Sequence, residues 1–207
     1  MEFVSAPNGQ EFNVYSDRIP SWNGWLASIV LDSFGNHIDV DGTSKSISNS
    51  VDIQLLMALR AKSDVIVTTG KTARIEGYKA SRFAPIAIVS QQQDPKEGIP
   101  AFSQPGDFES IVLKSNGSEL DFVELGLQLT SLGFKRFLFE GGPSTMKQLL
   151  RSNVESELVL SIVGEDSSNK LAPRSIAETL LGLRPEFDLV DDFLVDQNRV
   201  TRWARKG

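Results

Sequence analysis

Two short stretches combine residues that could grip an anion. In Lys135 to Gln148, KRFLFEGGPSTMKQ, the residues Arg136 to Glu140 read as a buried strand ending in a carboxylate. Gly141-Gly142-Pro143-Ser144 then turns the chain into a helix whose apolar positions include Met146, Leu149 and Leu150. The glycines suit dihedrals closed to other residues and a close approach of ligand to main chain, and Pro143 suits a first helical turn. The N–H groups of such a turn lack helical partners, so phosphate or pyrophosphate is the natural guest, with Glu140 beside it. The second stretch follows the β-rich run Asp64 to Thr68, where Thr69-Gly70-Lys71-Thr72-Ala73-Arg74 leads into a short helical piece. Gly70-Lys71-Thr72 copies the end of a phosphate-binding P-loop, but the earlier glycine of that motif would fall at Val65, inside the strand. No G-x-G-x-x-G fingerprint occurs either. What remains is a hydroxyl-rich turn whose Lys71 and Arg74 either pair with an anion such as a 2′-phosphate or form an ordinary solvated cap.

The elements that would position these turns can be read in chain order. Residues 1 to about 22, with Pro7, Gly9 and Pro20, read as an irregular arm. Trp25 to Leu31 is a continuous apolar run, as expected of a strand covered on both faces. Asp32 ends it, as an Asx cap of the Asp32 to Asn36 turn or as an acid for chemistry, and the chain continues to Ile38 and Val40. In the polar stretch Asp41 to Ser48, Ser44 and Ser46 are loop hydroxyls or ligand contacts, and Ser48 or Ser50 can cap a helix over 49–62 with Val51, Leu55, Ala58 and Leu59 on one stripe. Arg60 sits near its C-terminus, where the helix dipole already favours a cation. Ala84 to Ser90 is a strand; residues 91–106 form a loop; Ser110 to Leu113 is a strand; and Glu119 to Leu132 is a helix closed by Gly133. After the opening motif come a strand from Glu157 to Val163, a polar loop from Glu165 to Arg174, a short helical or irregular piece from Ser175 to Leu181, and an antiparallel ending of Glu186–Val195 with Arg199–Trp203 around Asp196-Gln197-Asn198.

Alternating strands and helices followed by strands alone predict one α/β domain over residues 1–207, with a mainly parallel sheet, an antiparallel C-terminal edge and helices on both faces. Ligands of such sheets sit over the carboxyl ends of the strands, here Thr69-Gly70, Ser90 and Glu140-Gly141-Gly142, so one elongated site could use all three.

Composition narrows the chemistry. A net charge of −6 argues against a nucleic-acid partner. The absence of cysteine removes disulfides, thiolate catalysis and cysteine-ligated zinc. His37 is the one histidine and lies in the loop-like SFGNHID, where a solvated turn residue is expected and no role is assigned. No basic, apolar leader opens the chain and no apolar run is long enough to span a bilayer, so a soluble cytoplasmic protein without membrane contact is expected.

Taken together, Ser28 with Leu31-Asp32, Asp41-Gly42-Thr43-Ser44, Leu59-Arg60-Ala61-Lys62-Ser63-Asp64, Thr68-Thr69-Gly70-Lys71-Thr72-Ala73-Arg74 and Glu140-Gly141-Gly142-Pro143-Ser144 resemble the reductase domain of bifunctional riboflavin-biosynthesis proteins. The likeness runs from about residue 22 to the C-terminus. It implies a dihydrofolate-reductase-like three-layer sandwich and, usually as a homodimer, the NADPH-dependent reduction of 5-amino-6-(5-phosphoribosylamino)uracil to its ribityl form. The deaminase half of those proteins is expected to be absent, as no zinc-ligand cysteines exist. By the same resemblance Thr69, Gly70, Thr72, Arg74, Ser90 and Gly141, Gly142, Pro143, Ser144 and Thr145 would hold NADPH. Ser44, Arg60, Arg82 and Glu140 would face the substrate, the arginines its phosphate, while Glu140, Glu76 or Asp32 would orient hydroxyls or relay a proton; no metal is implied. Two departures fall in the substrate half. Leu26 stands where the family places a lysine, and Ile75-Glu76-Gly77-Tyr78 stands where it has Asp-Asp-Pro-x-Leu-Thr. A related pyrimidine or pterin reductase of dihydrofolate type, and a nucleotide-binding relative without turnover, therefore stay open.

Overall fold

The computed structural model describes residues 4–5, 11–12, 18–19, 21–37, 42–90, 95–104, 106–115, 117, 119–164 and 172–206. The expectations for Ile38, Val40 and Asp41, for the start of the 91–106 loop, for the loop from Glu165 and for most of the N-terminal arm lie outside them. Within the arm, β1 (Val4–Ser5) and β2 (Glu11–Phe12) form a two-residue antiparallel ladder, while Ile19 and Trp22 are buried in the core.

The main sheet contains β3 (Gly24–Asp32), β4 (Val65–Thr69), β5 (Ile86–Ser90), β6 (Ile111–Lys114), β7 (Arg136–Phe139), β8 (Ser156–Val163), β9 (Phe187–Val195) and β10 (Asn198–Arg205). Its spatial order is β6-β5-β4-β7-β3-β8-β10-β9. The first six are mutually parallel, and β10 runs antiparallel to both β8 and β9. Each central strand carries apolar side chains on both faces with a period of two. Trp25, Val65, Val67, Phe137 and Phe139 pack into one layer with α3 (Phe122–Ser131), α4 (Pro143–Arg151) and α5 (Pro173–Leu181). Leu26, Ile66, Ile86, Ile88 and Leu138 point the other way, onto α1 (Ser50–Lys62) and Ala73 of α2 (Gly70–Glu76). Helices on both faces of a mainly parallel sheet with antiparallel C-terminal strands make this a three-layer dihydrofolate-reductase-like fold.

Two helix starts differ from expectation. Neither Ser48 nor Ser50 caps α1; Asn49 does, its side chain accepting from the Asp52 N–H. Pro173 opens α5 within the stretch read as a polar loop, because a proline at the first helical position loses nothing by lacking an N–H.

Candidate functional site

β4, β7 and β3 are neighbours, so the turns at 69–72 and 140–145 emerge side by side at one end of the sheet. Thr68 Oγ1 donates to the Glu140 carbonyl at 2.5 Å and the Glu140 N–H donates to the Val67 carbonyl at 2.8 Å, tying the two strand ends together. On its other side β7 pairs with β3 only from Gly24↔Arg136 to Ala27↔Phe139; β3 then continues to Asp32 paired with β8 alone. A cavity of about 580 Å³ opens where the two strands part, with Ser28, Ile29 and Val30 on one wall and Glu140 to Thr145 on the other. The N-terminal half of α1, α2 and the loop through Gly42 and Ser44 complete it.

At the 141–145 turn the N-cap of α4 is Gly142, with no side chain capping the helix and Pro143 first in it. Unlike the dihedral reading, neither glycine adopts positive φ: Gly142 is extended at φ −71°. The requirement is spatial. A Cβ on Gly141 would lie 2.6 Å from the Phe139 ring and 2.8 Å from Thr145 Oγ1, whereas one on Gly142 would project into open space above the turn. A backbone bare of side chains over an uncapped helix start fits a phosphate. Opposite it, Thr69 Oγ1 accepts from the Thr72 N–H at 3.2 Å and bonds the Thr72 hydroxyl at 3.0 Å, and Thr69, Lys71 and Thr72 all line the cavity. Gly70, Arg74 and Ser90 do not line it. Arg74 folds back over the buried Gly70 and donates to the carbonyls of Glu97 and Pro95 at 2.8 and 3.2 Å, so of the two cations read as anion partners only Lys71 faces the cavity.

Glu140 is 6% exposed and engaged on both oxygens. Arg60 grips it through Nε (2.8 Å) and Nη2 (2.5 Å), and the Tyr78 hydroxyl donates to Oε2 at 2.6 Å. The guanidinium also lies 5.5 Å from the Tyr78 ring centroid. Burial works against the charge on Arg60, but Glu140 and then Tyr78 outweigh it and hold the guanidinium more firmly protonated than usual. Burial, reinforced by the Glu140 carboxylate, pushes the Tyr78 hydroxyl well above its ordinary range. The fork expected to bind a substrate phosphate is thus closed on Glu140, and Arg60 does not line the cavity. Leu26, where a lysine is the family's choice, is buried beside Leu59 and Leu138. Arg82 stacks on Phe83 at 4.9 Å and does not line the cavity. Asp32 is an Asx cap: it accepts from the Phe34 and Asn36 N–H groups at 2.9 and 2.8 Å and from Asn36 Nδ2 at 2.7 Å, outside the cavity lining.

The cavity lining also includes Asp52, which sequence reasoning passed over, together with Glu76 and His37. Asp52, in the first turn of α1, is 6% exposed, lines the cavity and accepts a hydrogen bond from the Ser48 hydroxyl. Burial lifts its carboxyl above the usual range against the pull of the Ser48 and Ser161 hydroxyls. Asn49, which caps this turn, exchanges two amide hydrogen bonds with the fully buried Asn198 of β10 at 2.8 and 2.9 Å. Glu76 lines the cavity and accepts from the Ser44 N–H at 3.0 Å, clasping α2 to the 42–44 loop. His37, read as a solvated turn residue, is half-buried against the cavity, and burial lowers its pKa. Nothing local in the sequence marks Tyr78 or Asp52: the Tyr78 partner is 62 positions away, and an acid in a first helical turn has an ordinary dipole explanation.

No protein-family model and no curated protein sequence matches the chain. Its structure, however, is similar to solved ones. Against the diaminohydroxyphosphoribosylaminopyrimidine deaminase/5-amino-6-(5-phosphoribosylamino)uracil reductase of Thermotoga maritima the TM-score is 0.65 at 12% identity, over 88% of this chain and 56% of that one. The chain therefore spans little more than half that protein's length. A pyrimidine reductase-like protein of Corynebacterium diphtheriae gives 0.62 at 17% identity, over 89% and 92% of the two chains. Dihydrofolate reductase of Enterococcus faecalis, complexed with NADP(H), gives 0.57 at 13% identity, over 89% and 97%. The shared property at these identities is the fold. Among the described residues no helix is long and apolar enough to cross a membrane.

Proposed function

We propose that the protein is an NADPH-dependent reductase of a small phosphorylated heterocycle, of the kind named for the Thermotoga reductase, with a pyrimidine or pterin ring as the acceptor. The observation that carries this reading is the convergence of the 69–72 and 141–145 turns on one cavity beside the unpaired edge of β3. When bound, NADPH supplies a hydride to an electrophilic C=O or C=N carbon.

The chain's own residues do the holding. Main-chain amides at Ser144 and Thr145 and the hydroxyls of Thr69 and Thr72 bind phosphate oxygens, and Lys71 pairs with a further phosphate. The main chain of Ser28 to Val30 presents polar groups to a flat ring, while Leu55, Leu56 and Ile75 keep water from it. Ser44, clasped by Glu76, and Asp52 orient the acceptor. Glu140 takes no proton-transfer role; it fixes the turn that bears Gly141.

Titration of the protein's tryptophan fluorescence with NADPH and NADH tests the reading, followed by absorbance at the nicotinamide band with pyrimidine and pterin acceptors. Saturable binding with preference for NADPH and steady oxidation by one acceptor is expected; no saturable binding overturns it. The closed Arg60–Glu140–Tyr78 cluster and the buried Leu26 favour a second reading, a nucleotide-binding relative without turnover, which binding without oxidation by any acceptor would bear out. The homodimer implied by the resemblance is tested by sedimentation.

A further inference from the structure

We infer that the end of α4 remote from the cavity carries a second anion site, built from Lys147, Arg151 and Arg184, which takes the phosphate or pyrophosphate group of a small molecule. The site is separate from the cavity and stands independently of the reductase reading.

α4 begins at the glycine turn over the cavity and runs for 9 residues, which puts its last turn roughly 13 Å away. Cations gather around that turn. Arg205, at the end of β10, donates to the Leu150 and Ser152 carbonyls at 3.0 and 2.7 Å, and Arg184, which follows α5, donates to the Arg151 carbonyl at 3.4 Å. These bonds have an ordinary explanation, since a helix end leaves carbonyls without N–H partners and its dipole favours a cation. Lys147 and Arg151 have none. They stand one turn apart on the same face of α4, where like charges repel. A Cβ on Gly182, the αL residue that ends α5, would lie 3.1 Å from Lys147 Cε and 3.2 Å from Arg151 Nε, so both side chains converge over this bare stretch of backbone. Among the described residues neither charged end has a hydrogen-bond or ion-pair partner. The carboxylate within reach of the cluster is Glu186, and it is shared, 3.2 Å from Arg184 and 4.0 Å from Arg205. Two neighbouring cations are left unmatched, in a chain whose net charge is −6.

The chemistry of the cluster selects its ligand. Guanidinium forks present paired N–H donors to phosphate oxygens, and an ammonium beside them adds a compact charge, so a group bearing more than one negative charge matches the surplus better than a single carboxylate does. Arg151 is exposed and the Arg184 side chain is 48% exposed, so the forks are open to solvent. The ligand must also be small. The adjoining β9 carries Asp188, Asp191 and Asp192, and a long polyanion laid across the patch would meet those carboxylates, which argues against a nucleic acid here as the overall charge does.

The test is a titration of the nitrogen-15-labelled full chain with sodium pyrophosphate at constant ionic strength, sodium chloride serving as the control. The Gly182 N–H and the Arg151 and Arg184 Nε–H resonances are followed beside the Gly142 N–H at the cavity turn. Saturable shifts at Gly182 and Arg151 with one common midpoint are expected. Lys147→Gln and Arg151→Gln, which remove side chains that hold no bond in the fold, are each expected to weaken that midpoint by on the order of 10-fold. Lys147→Arg should retain it, and Lys71→Gln, at the cavity, should leave it unchanged. Shifts confined to Gly142, shifts that chloride reproduces, or a Gly182 midpoint indifferent to both glutamine variants overturn the inference. NADPH binding is read separately by tryptophan fluorescence. Saturable pyrophosphate binding at Gly182 without NADPH binding supports the second site and sinks the reductase reading, whereas NADPH binding without a pyrophosphate response at Gly182 sinks the second site alone.

Discussion

One cavity holds two carboxylates of equal burial and opposite circumstance. Glu140, at the end of β7, is held by a cation from α1 and a phenol that follows α2, and its main chain is stitched to β4. Asp52, on the first turn of α1, has the Ser48 and Ser161 hydroxyls for company and lines the cavity. The difference teaches that a charge prominent in a motif can be a structural keystone, while an acid held by hydroxyls lines the cavity where no motif points. A carboxylate that has satisfied its acceptors inside the fold has little left to offer a substrate.

Four experiments break or sharpen that contrast. The largest effect is expected from Glu140→Ala, which strands Arg60 with 24% of its side chain exposed and leaves the Tyr78 hydroxyl without its acceptor. Removing one partner of such a pair costs about 3 kcal/mol, visible as a lower denaturation midpoint; a loss of ring binding with stability intact would reverse the roles assigned to the two acids. Next comes Gly141→Ala, whose new methyl meets the Phe139 ring at 2.6 Å. A destabilisation of roughly 2 kcal/mol and weaker NADPH binding with unchanged ring binding are expected, and a neutral result in both measurements would detach this turn from the cofactor. Asn49→Ala removes the α1 cap and an amide partner of buried Asn198, with an expected loss of about 1 kcal/mol and weaker ring binding at unchanged NADPH affinity.

The smallest effect is a pH-dependent one. Burial raises the folded-state pKa of Asp52 above its ordinary value of 3.8, so the stability associated with its neutral form is fully present below that value and is lost as pH rises through the folded one. Asp52→Asn should therefore melt higher than wild type at pH 7, without ligand, and the gap should close in acid. A variant that melts lower at pH 7 would show that the carboxylate is satisfied within the fold, like Glu140.

The architecture was legible because apolar runs of strand length bounded by turn residues, such as Trp25 to Leu31 and the β-branched Val65 to Val67, read as strands covered on both faces, and because Gly133 closes a helix visibly. The two strand-to-helix turns at Thr69 and Gly142 were legible for the same local reason. Cross-chain pairings were not. Arg60 near a helix C-terminus, Arg74 after a glycine turn and Arg82 beside an aromatic look alike in sequence, yet their ends lie on Glu140, on carbonyls of the 95–97 loop and on Phe83. Asp32 had its cap written within four residues, whereas the setting of Asp52 depends on Ser48, Asn49 and a strand almost at the C-terminus.

That last dependence orders the protein's assembly. The amide pair under Asp52 joins positions 149 apart, a closure available only after β10 has docked on β8. Contacts of such long range are completed late in folding, so the two glycine turns can be formed while the wall around Asp52 is still unshaped. A nascent chain would then complete the wall beside the two glycine turns before the wall built on the first turn of α1.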